Sequence, residues 1–230
     1  MKKEKIPLEL VELITEEEIM MFKELRIKIL EINHKTNLTR LIEGDDYWIS
    51  QVFDSIWPFK LLPKNNFDNK KFLDIGSGCG FPGFAYAITH PNSEIYLIDS
   101  SKKKTDALKS IVKKINFKNN FFIINDRIEN LGHQSSFRNS FEIATTRAVS
   151  NPSTVSEYIL PMLNKTGLGI LYCGKWDYKD KKHLERTLET LEGNITETRK
   201  ILLPKEKGIR TIIFIKPKKS CPDIYPRSVG

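Results

Sequence analysis

The chain has 230 residues, 40% hydrophobic and 29% charged, enough for one sizeable core and a small extension. It has no apolar run near the length of a bilayer span, and its basic start, MKKEKIPLEL, lacks the apolar core of a signal peptide. Its three cysteines (Cys79, Cys173, Cys221) show no CxxC spacing, so a membrane protein, a disulfide framework and a zinc or other metal site are not expected, and a reduced cytoplasmic setting is. The net charge of +8 and pI near 9.2 point to a polyanionic partner. The positive charge is also clustered: Lys102, Lys103 and Lys104; Lys113 and Lys114; Lys179, Lys181 and Lys182; and Lys216, Lys218, Lys219 and Arg227.

Residues 15–33 carry Ile19, Met20, Phe22, Leu25, Ile29 and Ile32 at three- and four-residue steps, which predicts an amphipathic helix capped by Thr15. Asn37-Leu38-Thr39 and residues 47–59 make a second helical region, which Pro58 and Pro63 should end. Residues 65–69 read as a polar linker, and 1–68 as an N-terminal helical extension. From Lys71 onward, strand-like runs at 72–75, 95–98, 121–124, 141–145, 169–172, 195–203 and 211–216 alternate with helical ones at 84–89, 102–115, 154–163 and 179–192. This alternation predicts an α/β fold with a mostly parallel seven-stranded sheet covered on both faces. Only residues 204–208 separate the last two strands, too few for a parallel crossover, so an antiparallel C-terminal hairpin is expected. The cofactor-binding domain would span 69–218, with 219–230 as a basic tail.

The densest signal is residues 71–83, KFLDIGSGCGFPG. An apolar strand carrying Asp74 breaks into Gly76, Gly78, Gly80 and Gly83, with Pro82 where a helix should begin. The strand at 95–98 ends in Asp99, the usual position of an acid that holds a ribose. Gly78, Gly80 and Gly83 satisfy GxGxxG, which leaves a dinucleotide oxidoreductase open. A dinucleotide lays an anionic pyrophosphate on this turn, and the Asp74 carboxylate would repel it. S-adenosylmethionine carries a cationic sulfonium and no phosphate, so the same acid attracts it, and this cofactor is the one expected. The competing readings are a turn cap for Asp74 and a helix cap for Asp99.

The segments LDIGSGCGFPG, Arg127-Ile128-Glu129 and TTRAV at 145–149, with the leading NLT and DSI, resemble the bacterial 16S ribosomal RNA guanine-N7 methyltransferases, the RsmG or GidB family. The resemblance runs over residues 16–216. It implies a Rossmann-like class I methyltransferase fold acting on 16S ribosomal RNA or the small ribosomal subunit, in the 530-loop region. It implies that Gly76 and Phe81 line the cofactor pocket, where the glycine turn itself places Asp74 and Gly78, that Asp99, Ser100 and Ser101 hold the ribose, and that Ile128 and Glu129 flank the adenine. Arg147 would sit at the methyl-transfer face, near cofactor and target base. The chain departs from the family pattern at Gln51, where a histidine is frequent, and at Cys173-Gly174, where a lysine usually precedes the glycine.

Guanine N7 is an unprotonated lone pair, so its methylation needs alignment and no general base. His34, His90, His133 and His183 all lie outside the candidate segments. Arg147, after the strand at 141–145, would donate to guanine O6 or an RNA phosphate, or stack on the base; the competing reading is an ion pair with Glu129 or Asp126. Phe81 suits either a stacking surface or the core. Cytosine C5 transfer would need a Pro-Cys nucleophile, whereas Cys221-Pro222 is reversed; Asn151-Pro152-Ser153 lacks the second proline and aromatic of an adenine-N6 motif. A methyltransferase-fold RNA-binding protein without activity is the remaining alternative. No DNA partner is expected, and no exposed heptad pattern points away from a monomer.

Overall fold

The computed structural model describes residues 6–62, 68–147 and 149–228. A short helix α1 (Leu8–Val11) precedes the long α2 (Glu16–Thr36). Thr15 and Glu18 form the capping box their spacing announces: the Thr15 hydroxyl accepts from the Glu18 N–H at 3.2 Å and the Glu18 carboxylate from the Thr15 N–H at 2.6 Å. Ile19, Phe22, Leu25 and Ile29 are buried along α2. Met20 is 62% exposed, because it lies a hundred degrees around the helix from Ile19 and off the stripe.

Residues 44–60 form one helical rod in three registers: α3 (Gly44–Tyr47), a π-helical turn (Trp48–Phe53) and α4 (Asp54–Lys60). Pro58 lies inside α4 and does not end it, contrary to the sequence expectation. Its ring removes one intrahelical bond, but Ile56, Trp57 and Phe59 around it are buried, and that packing outweighs the loss. Pro63 and most of the linker expected at 65–69 fall outside the described residues.

The remaining elements alternate as their patterns require: β1 (Lys71–Ile75), α5 (Gly83–Thr89), β2 (Glu94–Ile98), α6 (Lys102–Val112), β3 (Asn120–Ile124), α7 (Ile128–Leu131), β4 (Phe141–Arg147), α8 (Pro152–Ile159), β5 (Leu163–Cys173), α9 (Tyr178–Thr190), β6 (Gly193–Leu202) and β7 (Ile209–Pro217). The sheet order is β3-β2-β1-β4-β5-β7-β6. Strands β1 to β5 run parallel, and β7 inserts antiparallel between β5 and β6, which is the expected hairpin. Strand β1 lies between β2 and β4, so the crossovers leave it in opposite directions. That opens a crevice at the carboxyl ends of the central strands. No described helix is long and apolar enough to cross a membrane.

The described helices before β1 bury their apolar faces together with the sheet and α5. Phe22, Leu25, Tyr47, Trp48 and Ile56 share one apolar cluster with Phe72, Ile143 and Phe214 of the sheet and Tyr86 of α5. A second cluster, on the face covered by α8 and α9, takes in Cys221 and Tyr225. The segment expected to be a basic tail therefore folds back as a strap. Arg138 donates to the carbonyls of Cys221 (2.6 Å), Tyr225 (2.7 Å), Gly132 (3.0 Å) and Pro222 (3.1 Å), and Arg227 donates to Glu157. Replacing Arg138 by alanine is expected to cost about 2–3 kcal/mol, the scale of charged hydrogen bonds left unmade. Urea denaturation reads it, and an unchanged midpoint would show that apolar contacts alone hold the strap.

Candidate active site

At the end of β1 the chain turns sharply toward α5. Gly76 has φ +70°, and a Cβ there would lie 2.4 Å from Val149 Cγ2, so glycine alone fits. A Cβ on Gly83 would meet Leu97 Cδ2 at 2.3 Å, so this glycine lets α5 pack against β2. Five of the turn's amides are committed internally. Gly76 and Ser77 donate to the Ile98 carbonyl (2.8 and 3.0 Å), Gly80 to Ser77 (2.7 Å), Gly78 to Asp99 Oδ2 (2.9 Å) and Gly83 to Asp74 Oδ2 (3.0 Å). With those donors engaged, this turn is a poor cradle for a pyrophosphate.

Asp74 stands behind the turn. Alternation along β1 points Ile75 into the crevice and Asp74 to the opposite face, where it is 1% exposed. Its Oδ1 also accepts from the Thr145 hydroxyl at 3.3 Å. Burial pushes its carboxyl up to about 7, against the opposing pull of the Gly83 N–H, the Arg147 charge and Thr145. The geometry thus supports the turn-cap reading: the Asp74 carboxylate is engaged by the Gly83 N–H and the Thr145 hydroxyl and does not line the crevice. Phe81 is likewise a core residue, 3% exposed, with its ring edge-on to Tyr47 and Phe84. Gly78 acts through its N–H on Asp99 and does not line the crevice.

A cavity of about 320 Å³ occupies the crevice. Of the residues singled out from sequence, Gly76, Asp99, Ser100, Ile128 and Glu129 line it. Ser101 lies beside it and donates its N–H to Asp99 Oδ1 at 2.9 Å. Lys104, Asp126, Arg127 and Tyr158 join the wall without having been anticipated. Lys104 Nζ is 3.7 Å from Asp99 Oδ2. Burial, then the hydrogen bond and charge of Glu129, push the Tyr158 phenol up to about 12. Isoleucines 75, 98 and 128 make an apolar slot, and Asp99, Asp126 and Glu129 outnumber the two cations. These walls fit an adenosine carrying a cationic, phosphate-free substituent.

A second cavity, of about 470 Å³, lies beside it, lined by Arg147, Arg210, Asp54, Tyr172 and Trp176 among others. Arg147, at the end of β4, donates Nη1 to the Ser50 carbonyl (3.0 Å) and Nη2 to Gln51 Oε1, and its Nη1 lies 3.5 Å from Asp54 Oδ2. Arg210 Nε donates to Asp54 Oδ1 at 2.7 Å. The pairing of Arg147 with Glu129 or Asp126 does not occur, because those acids face the other cavity; Ala148, beside Arg147, lies outside the described residues. Sequence reasoning missed Asp54 and Arg210. The available signal was that residues 47–59 are apolar on every helical face, so an acid among them must be buried and paired. At the two departures, Gln51 is 1% exposed, while burial raises the half-buried Cys173 thiol to about 12. None of the four histidines lines either cavity. Asn151-Pro152 serves as a helix start, Asn151 Oδ1 accepting from the Thr154 N–H at 3.0 Å.

This sheet, with its antiparallel seventh strand, and this glycine turn define a Rossmann-like class I methyltransferase fold. Solved structures agree at the level of fold. They include a 1,6-didemethyltoxoflavin-N1-methyltransferase from Burkholderia thailandensis with bound S-adenosylhomocysteine (TM-score 0.54, 11% identity, 90% of this chain and 92% of that one). Aeropyrum pernix fibrillarin, in complex with S-adenosyl-L-methionine, matches with a TM-score of 0.53 at 11% identity over 71% of this chain and 73% of that one. The family described as rRNA small subunit methyltransferase G, GidB, matches residues 18–208. A ribosomal RNA small subunit methyltransferase G of Prochlorococcus marinus strain MIT 9312 is 76% identical over all of this chain and 97% of its own length. One from strain NATL1A is 41% identical over 94% of this chain and 87% of its own. The chain belongs to the rRNA small subunit methyltransferase G family, and the dinucleotide oxidoreductase alternative is set aside.

Proposed function

We propose that this chain transfers a methyl group from S-adenosylmethionine to N7 of a guanine in 16S ribosomal RNA, acting as a single chain on RNA and not on DNA. When bound, the cofactor supplies an electrophilic methyl group on a sulfonium. Asp99, Ile128 and Glu129 would hold its adenosine, and Arg147 would orient the base from the second cavity. The observation that carries the choice of atom is the state of the ionisable groups around that cavity. Asp54 is paired with two arginines, Asp180 is bound in the helix cap of α9, and burial keeps Tyr172 and Cys173 protonated. None of these is free to remove a proton, and a lone pair such as guanine N7 needs none removed.

The charge distribution supports RNA. Lys102, Lys103 and Lys104 open α6, and Lys179, Lys181 and Lys182 occupy the first turns of α9, so both clusters flank the edge that holds the cavities. These exposed side chains suit a phosphate backbone. Incubation of the protein with methyl-labelled S-adenosylmethionine and unmodified 16S RNA or small subunits, at low salt, tests the reading. Label is expected in the RNA, with borohydride and aniline cleaving the product at one guanosine. Absence of label in both substrates overturns it.

A further inference from the structure

Gln51 is 1% exposed and touches neither cavity, yet each of its polar atoms has a partner from a different element. Its amide orientation follows from chemistry. Arg147 offers only N–H groups, so it must meet the Gln51 oxygen, and Nη2 donates to Oε1. The amide nitrogen is then left to donate to the Thr39 hydroxyl at 3.1 Å and to Cys79 Sγ at 3.2 Å. Thr39 is itself immobilised by Asn33, which accepts from its N–H (2.9 Å) and donates to its carbonyl (2.8 Å). Cys79 belongs to the glycine turn, and its neighbour Gly78 donates to the Asp99 carboxylate that faces the cofactor cavity.

A continuous run of bonds therefore joins the two cavities: Asp99 to Gly78, along one peptide to Cys79, then to Gln51, Arg147 and Asp54. Resting on the proposed function, we infer that Gln51 is a positioning residue through which occupancy of the cofactor cavity sets the placement of Arg147, so that cofactor and RNA bind cooperatively. A ligand resting on Asp99 and Gly76 restrains the turn. Cys79 then holds the Gln51 amide, and Arg147 is ordered before RNA arrives, so less of the ordering cost falls on the RNA step. Gln51 needs no contact with either ligand for this, and energetic coupling is by definition reciprocal between the sites.

The test measures the affinity of transcribed 16S RNA with and without saturating S-adenosylhomocysteine, in the wild type and in Gln51→Met, Gln51→Glu and Cys79→Ala. In the wild type, S-adenosylhomocysteine is expected to tighten RNA binding about fivefold or more, and in all three variants by less than about twofold. Glutamate keeps an acceptor for Arg147 while deleting both donors, so its loss of coupling is read from RNA affinity with and without S-adenosylhomocysteine. Methionine frees Arg147, and its kcat falls roughly 10²-fold, the scale of a misplaced orienting group. S-adenosylhomocysteine affinity measured without RNA stays near wild type in every variant, because neither Gln51 nor Cys79 lines that cavity. Equal RNA affinity with and without S-adenosylhomocysteine in the wild type overturns the inference, as does undiminished coupling in Gln51→Glu and Cys79→Ala, which keep it falsifiable if Gln51→Met folds poorly. Wild-type protein that binds RNA cooperatively with S-adenosylhomocysteine but transfers no methyl group overturns the proposed activity and sustains the coupling.

Discussion

Replacing Asp54 by alanine is expected to remove about 3–5 kcal/mol of folding stability, the usual result of breaking a buried ion pair from one side. Its carboxylate is 0% exposed and lies between two guanidinium groups, Arg210 Nε at 2.7 Å and Arg147 Nη1 at 3.5 Å, whose side chains are only 24% and 13% exposed. Alanine leaves both cations in a poorly hydrated site without a counter-charge. Asparagine keeps the volume and one acceptor, so its loss should be smaller. Methyl transfer should fall by roughly 10²-fold or more in the alanine protein, because Arg147 and Arg210 lose their common anchor. Affinity for S-adenosylhomocysteine should stay near wild type, since Asp54 does not line that cavity. Denaturation and calorimetric titration of the two variants separate these effects. An alanine variant with wild-type stability would mean that Asp54 anchors neither arginine.

The readable parts of the fold were those set by short-range pattern. The strand at 95–98 and its terminal acid, the capping box at Thr15 and the short gap before β7 each follow from neighbours in sequence. Gly76 could be read because a strand that breaks into a sharp left-handed turn favours a residue without a side chain. What was not readable depends on register and on distant partners. Asp74 was placed in the cofactor site by its closeness to the glycines, while strand parity turns it away from Ile75 and the cavity. Gln51 and Asp54, three residues apart, face Arg147 from a rod whose π-helical turn has no local sequence signature. The strap at 220–227 has no amphipathic period. It is held by Arg138, more than eighty residues away, through carbonyl groups that every sequence possesses.

Asp74 should also set a pH dependence of stability opposite in sign to that of an ordinary buried ion-paired acid. Its carboxyl titrates at about 7 in the folded chain against 3.8 for the free side chain, chiefly through burial. Between those values the native state holds a proton that the unfolded chain has released, so the native state binds more protons and stability falls as pH rises. The contribution is fully present below about pH 4 and is lost as pH passes through 7, amounting to about 4 kcal/mol for a shift of this size. His90 works in the other direction. Burial lowers it from 6.5 to about 4, so over that interval the unfolded chain binds the extra proton and stability rises with pH. The wild-type curve alone therefore mixes two opposed slopes, and the difference between variants isolates one of them. Asp74→Asn retains an oxygen for the Gly83 N–H and can donate to the Thr145 hydroxyl, yet has no charge to bury. Its stability relative to wild type is expected to rise across pH 5 to 8, with the asparagine protein the more stable at the alkaline end by up to about 4 kcal/mol. Urea denaturation of both proteins at intervals through that range reads the difference. A flat difference would show that Asp74 is already ionised behind its turn at pH 5, and that the Gly83 amide and Arg147 outweigh its burial.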